Sequence, residues 1–211
     1  LSHYECKYTS TISLEDLVNE IKGSHWKDLI SQIRDIDGEI DKELNNSKIT
    51  DFKAAKSLLK SQLAAVTISG LGHRRARIHK DEPSFIHSGL LQIDLDKKDH
   101  PDHSSNDILR ILRNDPYIVC CFLSPSGGVK GVCAISADLD DHEGCFAAVE
   151  KHYHEAGLKI DRAPSNPKSL CYLSHDSDPY VASNKIKVFQ PIKVQKPLVH
   201  TMTQSPNVTI P

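Results

Sequence analysis

The feature that most constrains the fold is an ordered alternation of strand-like and helix-like segments between residues 89 and 174. Short apolar runs rich in β-branched and aromatic residues indicate strands, whereas apolar residues three and four positions apart indicate helices. The order strand, helix, strand, strand, helix, strand predicts a split βαβ unit with one antiparallel sheet. The strands are expected at 89–96, 117–124, 129–136, 158–161 and 169–174, and the helices at 104–115 and 140–157.

Helical periodicity precedes this unit and ends near residue 63. Ser13 is expected to cap a first helix, with Asp16 at its third position and Gly23 as its end. The predicted division is therefore a helical arm at 1–63, a core at 64–190 and an extended tail or linker at 191–211, where prolines occur without periodicity. The arm is expected to pack on the core through a buried stripe formed by Trp26, Leu29, Ile33 and Leu59.

Composition narrows the classes of partner. The formal net charge of the 211-residue chain is -2, so a nucleic-acid partner would need a local basic patch rather than a basic surface overall. The apolar run at 117–123 is too short to span a bilayer, which predicts no membrane partner. The six cysteines form no C-x-x-C pair, which argues against a zinc ribbon and favours reduced thiols in a cytoplasmic protein.

Two acids, Asp94 and Asp96, stand at the end of the strand predicted at 89–96. Residues two apart in a strand share a face, so both carboxylates point the same way, about 7 Å apart along the strand. This separation suits a pair of cations about 4 Å apart. Carboxylate oxygens favour Mg²⁺ or Mn²⁺. A solvated strand end is the commoner explanation of a lone D-x-D, so a metal site requires further polar residues near the two acids.

The predicted topology brings further residues to the same end of the sheet. The first and third strands should be adjacent and antiparallel, which places the acid pair beside Lys130 and near Asp161. The glycines of the loop "SPSGGVKG" allow backbone N–H groups to approach an anion. A basic segment after residue 70 adds weaker candidates for phosphate or template contacts. The predicted nucleotide-binding residues are Ser124, Ser126, Gly127, Gly128, Lys130, Arg74 and Arg75.

Three runs of the sequence, at 63–96, 115–135 and 152–180, carry a family resemblance. Together they resemble the VirE-type amino-terminal domain, which is related to the archaeo-eukaryotic primase-polymerases of mobile elements and phages. The resemblance covers roughly residues 4–190. It implies an α+β fold in which an RRM-like, split βαβ antiparallel sheet forms a primase-polymerase catalytic core behind an N-terminal helical arm.

The resemblance also assigns roles to residues. The D-x-D motif of the superfamily falls on Asp94 and Asp96, its hydrophobic-Asp motif falls on Asp161, and its second motif falls on the loop with Lys130. These carboxylates would be catalytic metal ligands for Mg²⁺ or Mn²⁺. The chain departs from the family pattern at Ala64, where Pro is usual, and at Ser169, where Arg is usual. The usual Tyr-x-Asn is stretched to five residues at 180–184. The Ser169 departure bears on affinity for a triphosphate.

The expected function is a metal-dependent nucleotidyltransferase, the DNA primase and polymerase core of a mobile element, phage or defence system. Its partners would be nucleoside triphosphates, a single-stranded DNA template or primer-template, and a helicase domain or protein. Two alternatives stay open. One is a catalytically degenerate nucleic-acid-binding module of a replication protein. The other is a structural adaptor that docks a helicase through its helical arm and has no affinity for nucleotides.

Overall fold

The computed structural model describes residues 11–43, 46–71, 85–136, 138 and 140–193. Over these residues the fold is mixed α+β, with five α-helices and small antiparallel sheets. The helices are α1 (Leu14–Lys22), α2 (Lys27–Lys42), α3 (Asn46–Lys60), α4 (Ser105–Arg113) and α5 (His142–Glu155). The strands are β1 (Ala65–Thr67), β2 (Gly70–Leu71), β3 (Ile86–His87), β4 (Leu90–Leu95), β5 (Ile118–Leu123), β6 (Val129–Ala134), β7 (Leu170–Tyr172) and β8 (Tyr180–Val181).

The largest sheet has four strands in the order β4-β6-β5-β8. As predicted, β4 and β6 are adjacent and antiparallel, with Asp94 directly opposite Lys130. The turn between β5 and β6 is short because the small residues at 125–128 reverse the chain there. This pairing places the end of β4 beside the start of β6, and it determines where the candidate site lies.

The prediction for the last two strands was wrong. Residues 158–161 form no strand and follow the edge of β4 through one backbone hydrogen bond, from Asp161 N to Asp94 O at 2.8 Å. The strand predicted at 169–174 is shortened to β7 and pairs with β1 in a separate sheet. Leu158 and Ile160 are buried in the core beside α5, so their apolar character reflects packing rather than a ladder. The fourth strand of the main sheet is β8, which pairs with β5.

Helices α4 and α5 cover one face of the main sheet. Ser104 and Asp107 form a capping box at the start of α4, which fixes where that helix begins. Leu91, Ile93 and Leu95 of β4 are fully buried against apolar residues of both helices. Full burial of one such side chain is worth about 1.5–3 kcal/mol, so this face holds most of the core.

The opposite face is covered by α1 and by the β1–β7 pair. Ser13 caps α1 by accepting a hydrogen bond from Asp16 N, and Gly23 ends the helix, as predicted. Apolar residues of α1 pack against those of β5 and β6, and α2 and α3 form an adjoining cluster with Tyr172. Trp26 is half-buried and contacts both clusters. The arm helices therefore lie against the sheet, next to the end of β4.

No helix in the described ranges has both the length and the apolar character needed to cross a bilayer.

Candidate functional site at the end of β4

A buried ion pair forms the centre of the site. The Lys130 ammonium donates to Asp94 Oδ2 across the register that β4 and β6 share. The Lys130 side chain is 7% exposed and that of Asp94 is 21% exposed. A pair this deeply buried is costly to form, because both charges lose their hydration and their mutual attraction offsets only part of that free-energy cost. The strand register places the two residues opposite each other, but it does not explain why both of them are charged.

The surroundings perturb both members of the pair. Burial raises the pKa of Asp94, and the nearby carboxylates of Asp96 and Asp161 raise it further, against the lowering effect of Lys130. Burial would lower the pKa of Lys130, but the acidic groups Cys171, Asp94 and Asp96 together raise it above its ordinary value. Burial is therefore the main reason why the ionised form of Asp94 is disfavoured, and a cation beside the carboxylate favours that form.

The other two predicted acids lie at the rim. Asp96 follows β4 and pairs with Lys98 at 2.8 Å, with its side chain 41% exposed. Asp161 is exposed and uses Oδ1 to accept from Ala163 N, which starts a short 3-10 helix at Ala163–Ser165. Its backbone N–H bonds to Asp94 O, so its position beside the strand is fixed even though no strand forms. The three predicted carboxylates thus occupy one end of the sheet.

The β5–β6 turn lies over the same end. Ser124 N donates to Gly128 O at 2.8 Å, and Gly127 N donates to Ser124 O at 3.0 Å, so these two N–H groups are used inside the turn. Gly127 has φ +75°, which favours glycine. A Cβ on Gly128 would lie 2.6 Å from Leu95 O, so the turn packs directly on the end of β4. Ser105 of α4 donates a hydrogen bond through Oγ to Gly127 O at 2.5 Å.

The helical arm adds cations that the sequence reasoning missed. Arg34 of α2 donates through Nη2 to Ser124 O at 3.0 Å and to His175 O at 2.9 Å, which ties the arm to the turn. Lys56 of α3 pairs with Asp37 of α2. Lys60 lies one helical turn beyond Lys56, and its pKa is lowered by burial and then by the charges of Lys56 and Lys130. The available signal was the pair of lysines four residues apart on α3, which is also typical of a solvated helix face.

Some buried polar atoms near this site have no hydrogen-bond partner. Buried polar groups in native proteins are nearly always hydrogen-bonded, so each exception needs an explanation such as a bound water, ion or ligand. Six such side-chain atoms occur in the described part of the chain, on Arg34, Asp37, Gln92, Arg113, Ser126 and Ser174. Of these, Ser126 Oγ belongs to the β5–β6 turn, and Arg34 Nε belongs to the arginine that bonds this turn.

The donor set permits a hard cation but does not form a cage for one. In the described ranges, no group of three or more His, Cys, Asp or Glu side chains is arranged to hold a metal ion. Mg²⁺ commonly takes only one or two protein carboxylates and completes its shell with water and substrate phosphates. Asp94 and Asp96 fit that requirement in number and position, because they are two carboxylates at one strand end, although each is paired with a lysine, Lys130 and Lys98 respectively.

Arg74 and Arg75, the other predicted contacts, lie outside the described residues. Ser169, which replaces the Arg of the family pattern, directly precedes β7, and the neighbouring Lys168 is buried with its ammonium 6.0 Å from the centre of the Phe85 ring.

Residues 58–181 match the family described as BT4734-like, N-terminal domain. The match spans more than half of the chain and includes Lys60, β4, the β5–β6 turn and Asp161. The chain belongs to this family. No curated protein and no solved structure matches it significantly.

Proposed function

We propose that the chain is the catalytic core of a metal-dependent nucleotidyltransferase, a DNA primase-polymerase that joins nucleoside triphosphates on a single-stranded DNA template or a primer-template. The observation that carries the proposal is the meeting of Asp94, Asp96 and Asp161 with the Ser-Gly turn at one sheet end. The motif resemblance to VirE-type amino-terminal domains supports the same assignment. Replication or repair of a mobile element, phage or defence locus would be its setting.

Each residue has a stated role in this proposal. Asp94 and Asp96 would hold Mg²⁺ or Mn²⁺, with Asp161 at the rim completing the negative site. When bound, such an ion stabilises the charge that develops on phosphoryl oxygens. The unpartnered Ser126 hydroxyl would donate to a phosphate oxygen. The triphosphate would lie against the turn at 124–128, with Lys130 as the cation beneath it.

One observation favours a second candidate, a nucleotide-binding or nucleic-acid-binding module without catalysis. Lys130 already neutralises Asp94, and a built-in cation can take the place of a metal ion at a carboxylate. This module would bind nucleotide equally well with and without divalent metal. A structural adaptor, in contrast, would bind no nucleotide at all.

Primer extension and de novo synthesis on single-stranded DNA, with Mg²⁺ or Mn²⁺, test the proposal. The wild-type chain should incorporate nucleotides. Asp94→Asn combined with Asp96→Asn should reduce incorporation about 1,000-fold or more, because metal stabilisation of the transition state is worth several kcal/mol. Asp102→Asn is the matched control, since Asp102 is an exposed acid of the same segment.

Asp94→Asn leaves the buried Lys130 without its counter-ion, so the double variant should lose about 3–5 kcal/mol of stability. Circular dichroism must therefore show that it is folded before incorporation is compared. Incorporation by that variant at the wild-type rate would show that the acids are a solvated strand end. Nucleotide binding without incorporation in the wild type, unchanged by chelation of metal, would favour the non-catalytic module instead.

A further inference from the structure

Helix α2 runs along the end of the sheet that carries the acids. Two hydrogen bonds fix it there. Arg34 donates to Ser124 O, and Asp41 accepts from Lys97 Nζ at 3.1 Å. Positions 34 and 41 are two helical turns apart, so they lie on the same face of α2. That face therefore spans the site from the β5–β6 turn to the residue that follows Asp96.

Gly38 lies between these two contacts on the same face. A Cβ built on it would meet nothing within 4 Å, so the space beside it is open. Glycine in a helix interior is less favourable than alanine by about 1 kcal/mol. The arm thus passes over the strand end with open space, rather than a packed side chain, at the midpoint of its contact face.

Ion pairs cancel most charges around this space. Lys56 is paired with Asp37, Lys97 with Asp41, Lys98 with Asp96 and Lys130 with Asp94. Lys60 is different, because no carboxylate lies within ion-pair distance of its ammonium in the described part of the chain. It is half-buried and lies one helical turn after Lys56, which pairs with Asp37 directly before Gly38. Burial and then the charges of Lys56 and Lys130 lower its pKa, and the weaker effect of the Asp37 and Asp94 carboxylates only partly opposes this. A partly desolvated cation without a carboxylate at ion-pair distance favours binding of an anion.

We propose that Lys60 is an anion-binding residue of this site, and that its ligand is a phosphate group of the nucleoside triphosphate. The identity of the ligand rests on the proposed function, whereas the anion site itself does not. Lys130 is a poorer anchor for a phosphate, because Asp94 already accepts from its ammonium. The arm therefore contributes the free positive charge, and the sheet contributes the carboxylates.

The test is binding of inorganic tripolyphosphate to the full chain, measured by calorimetry in the presence of EDTA and at fixed ionic strength. Lys60→Gln should weaken binding about 10-fold, since a charge-assisted contact to phosphate is worth about 1.5 kcal/mol. Lys53→Gln, which removes an exposed charge from the same helix, should leave affinity unchanged. Lys60→Arg should retain most of the affinity, because the positive charge stays in place.

Absence of tripolyphosphate binding by the wild type would overturn the inference, and so would equal weakening by Lys60→Gln and Lys53→Gln. A circular dichroism spectrum of Lys60→Gln should match that of the wild type. The measurement uses neither metal nor template, so its outcome is independent of nucleotide incorporation. If the chain incorporates no nucleotide but tripolyphosphate binding depends on Lys60, the anion site stands and the polymerase proposal fails.

Discussion

Strand β4 presents alternate residues to two different environments. Leu91, Ile93 and Leu95 are fully buried under α4 and α5, in a wholly apolar cluster. On the other face, Gln92 is buried with an unpartnered oxygen and Asp94 is paired with Lys130. Both faces are largely withdrawn from water, but only the first gains free energy of folding from that burial. The comparison supports the proposal that the second face serves binding rather than stability.

The titration of Asp94 supports this interpretation. Its pKa in the folded chain lies above the ordinary value of 3.8, chiefly because of burial. The folded state therefore binds the proton more tightly than the unfolded state does. The stabilising contribution of protonated Asp94 is fully present below pH 3.8 and is lost as the pH rises through the folded-state pKa. At neutral pH the ionised carboxylate lowers the stability of the fold.

The largest change in the free energy of unfolding is expected from a substitution on the apolar face of β4. Ile93→Ala should lower the free energy of unfolding by about 4 kcal/mol, near the upper end of large-to-small core substitutions. Gly131, which lies opposite Ile93, has no side chain that could fill the cavity. Urea unfolding checks this value. Leu58→Ala, at a position 66% exposed on α3, is the control and should change stability by less than about 0.5 kcal/mol.

A somewhat smaller loss is expected when the ion pair is broken. Lys130→Met leaves Asp94 without its counter-ion and should lower stability at neutral pH by about 3 kcal/mol. The loss should shrink on acidification, because protonation removes the unpaired charge. Equilibrium unfolding at pH 7 and at pH 4 measures both values. A loss that is the same at both pH values would mean that packing of the lysine stem, not its charge, is what matters.

Two hydrogen-bonded histidines, the half-buried His87 and the buried His142, stabilise the fold only while both rings are uncharged. His142 Nε2 donates to Pro164 O at 3.0 Å, which leaves His142 Nδ1 to accept from His87 Nε2 at 3.0 Å. His87 Nδ1 then accepts from Gly89 N at 3.0 Å. This chain of three hydrogen bonds fixes both rings as neutral tautomers, and it connects β3 to α5 and to the 3-10 helix after Asp161.

Acid should therefore weaken the fold through these histidines. Burial, followed by the charge of His142, lowers the pKa of His87 to about 4 from 6.5. Because the unfolded chain binds the proton more readily, the contribution is present above pH 6.5 and is lost as the pH falls from 6.5 towards 4. We expect about 1 kcal/mol after solvent screening of the half-exposed ring. His87→Gln should flatten this part of the pH–stability curve, whereas His154→Gln, on an exposed ring, should not.

The smallest effect concerns the glycine of α2 that faces the site. Gly38→Ala should raise stability by about 0.5–1 kcal/mol, because alanine favours the helix and the added methyl meets no atom. Gly144→Ala in α5 is the matched comparison, where the methyl would lie 2.8 Å from Ile192 O and should destabilise the fold. Thermal unfolding of both variants should give shifts of opposite sign. A destabilising Gly38→Ala would mean that the space beside α2 is filled.

The parts of the fold that follow a local pattern were predictable from the sequence. Strands β4, β5 and β6 and helices α4 and α5 each carry their own periodicity, and the antiparallel pairing of β4 with β6 follows from the order of these elements. The partner of β7 was not predictable in this way. An apolar strand of three residues fits either sheet edge, and the choice of β1 depends on contacts about 105 residues away.

The candidate site also contains residues that were predictable from the sequence and residues that were not. Asp94, Asp96 and the β5–β6 turn could be located together, because adjacent strand ends converge. Arg34 and Lys60 could not, because a basic residue on an amphipathic helix looks the same whether it faces solvent or a neighbouring sheet. Only the docking of α2 on the strand end distinguishes the two situations.

The most direct test of the central claim is the free energy of unfolding of Asp94→Leu combined with Lys130→Met at neutral pH. Replacing a buried ion pair by apolar side chains of similar size is often neutral or stabilising by about 1–4 kcal/mol. If the pair serves binding and not the fold, as we propose, the double variant should be at least as stable as the wild type. A loss of more than about 2 kcal/mol would contradict the claim and would make the pair a structural element of the sheet.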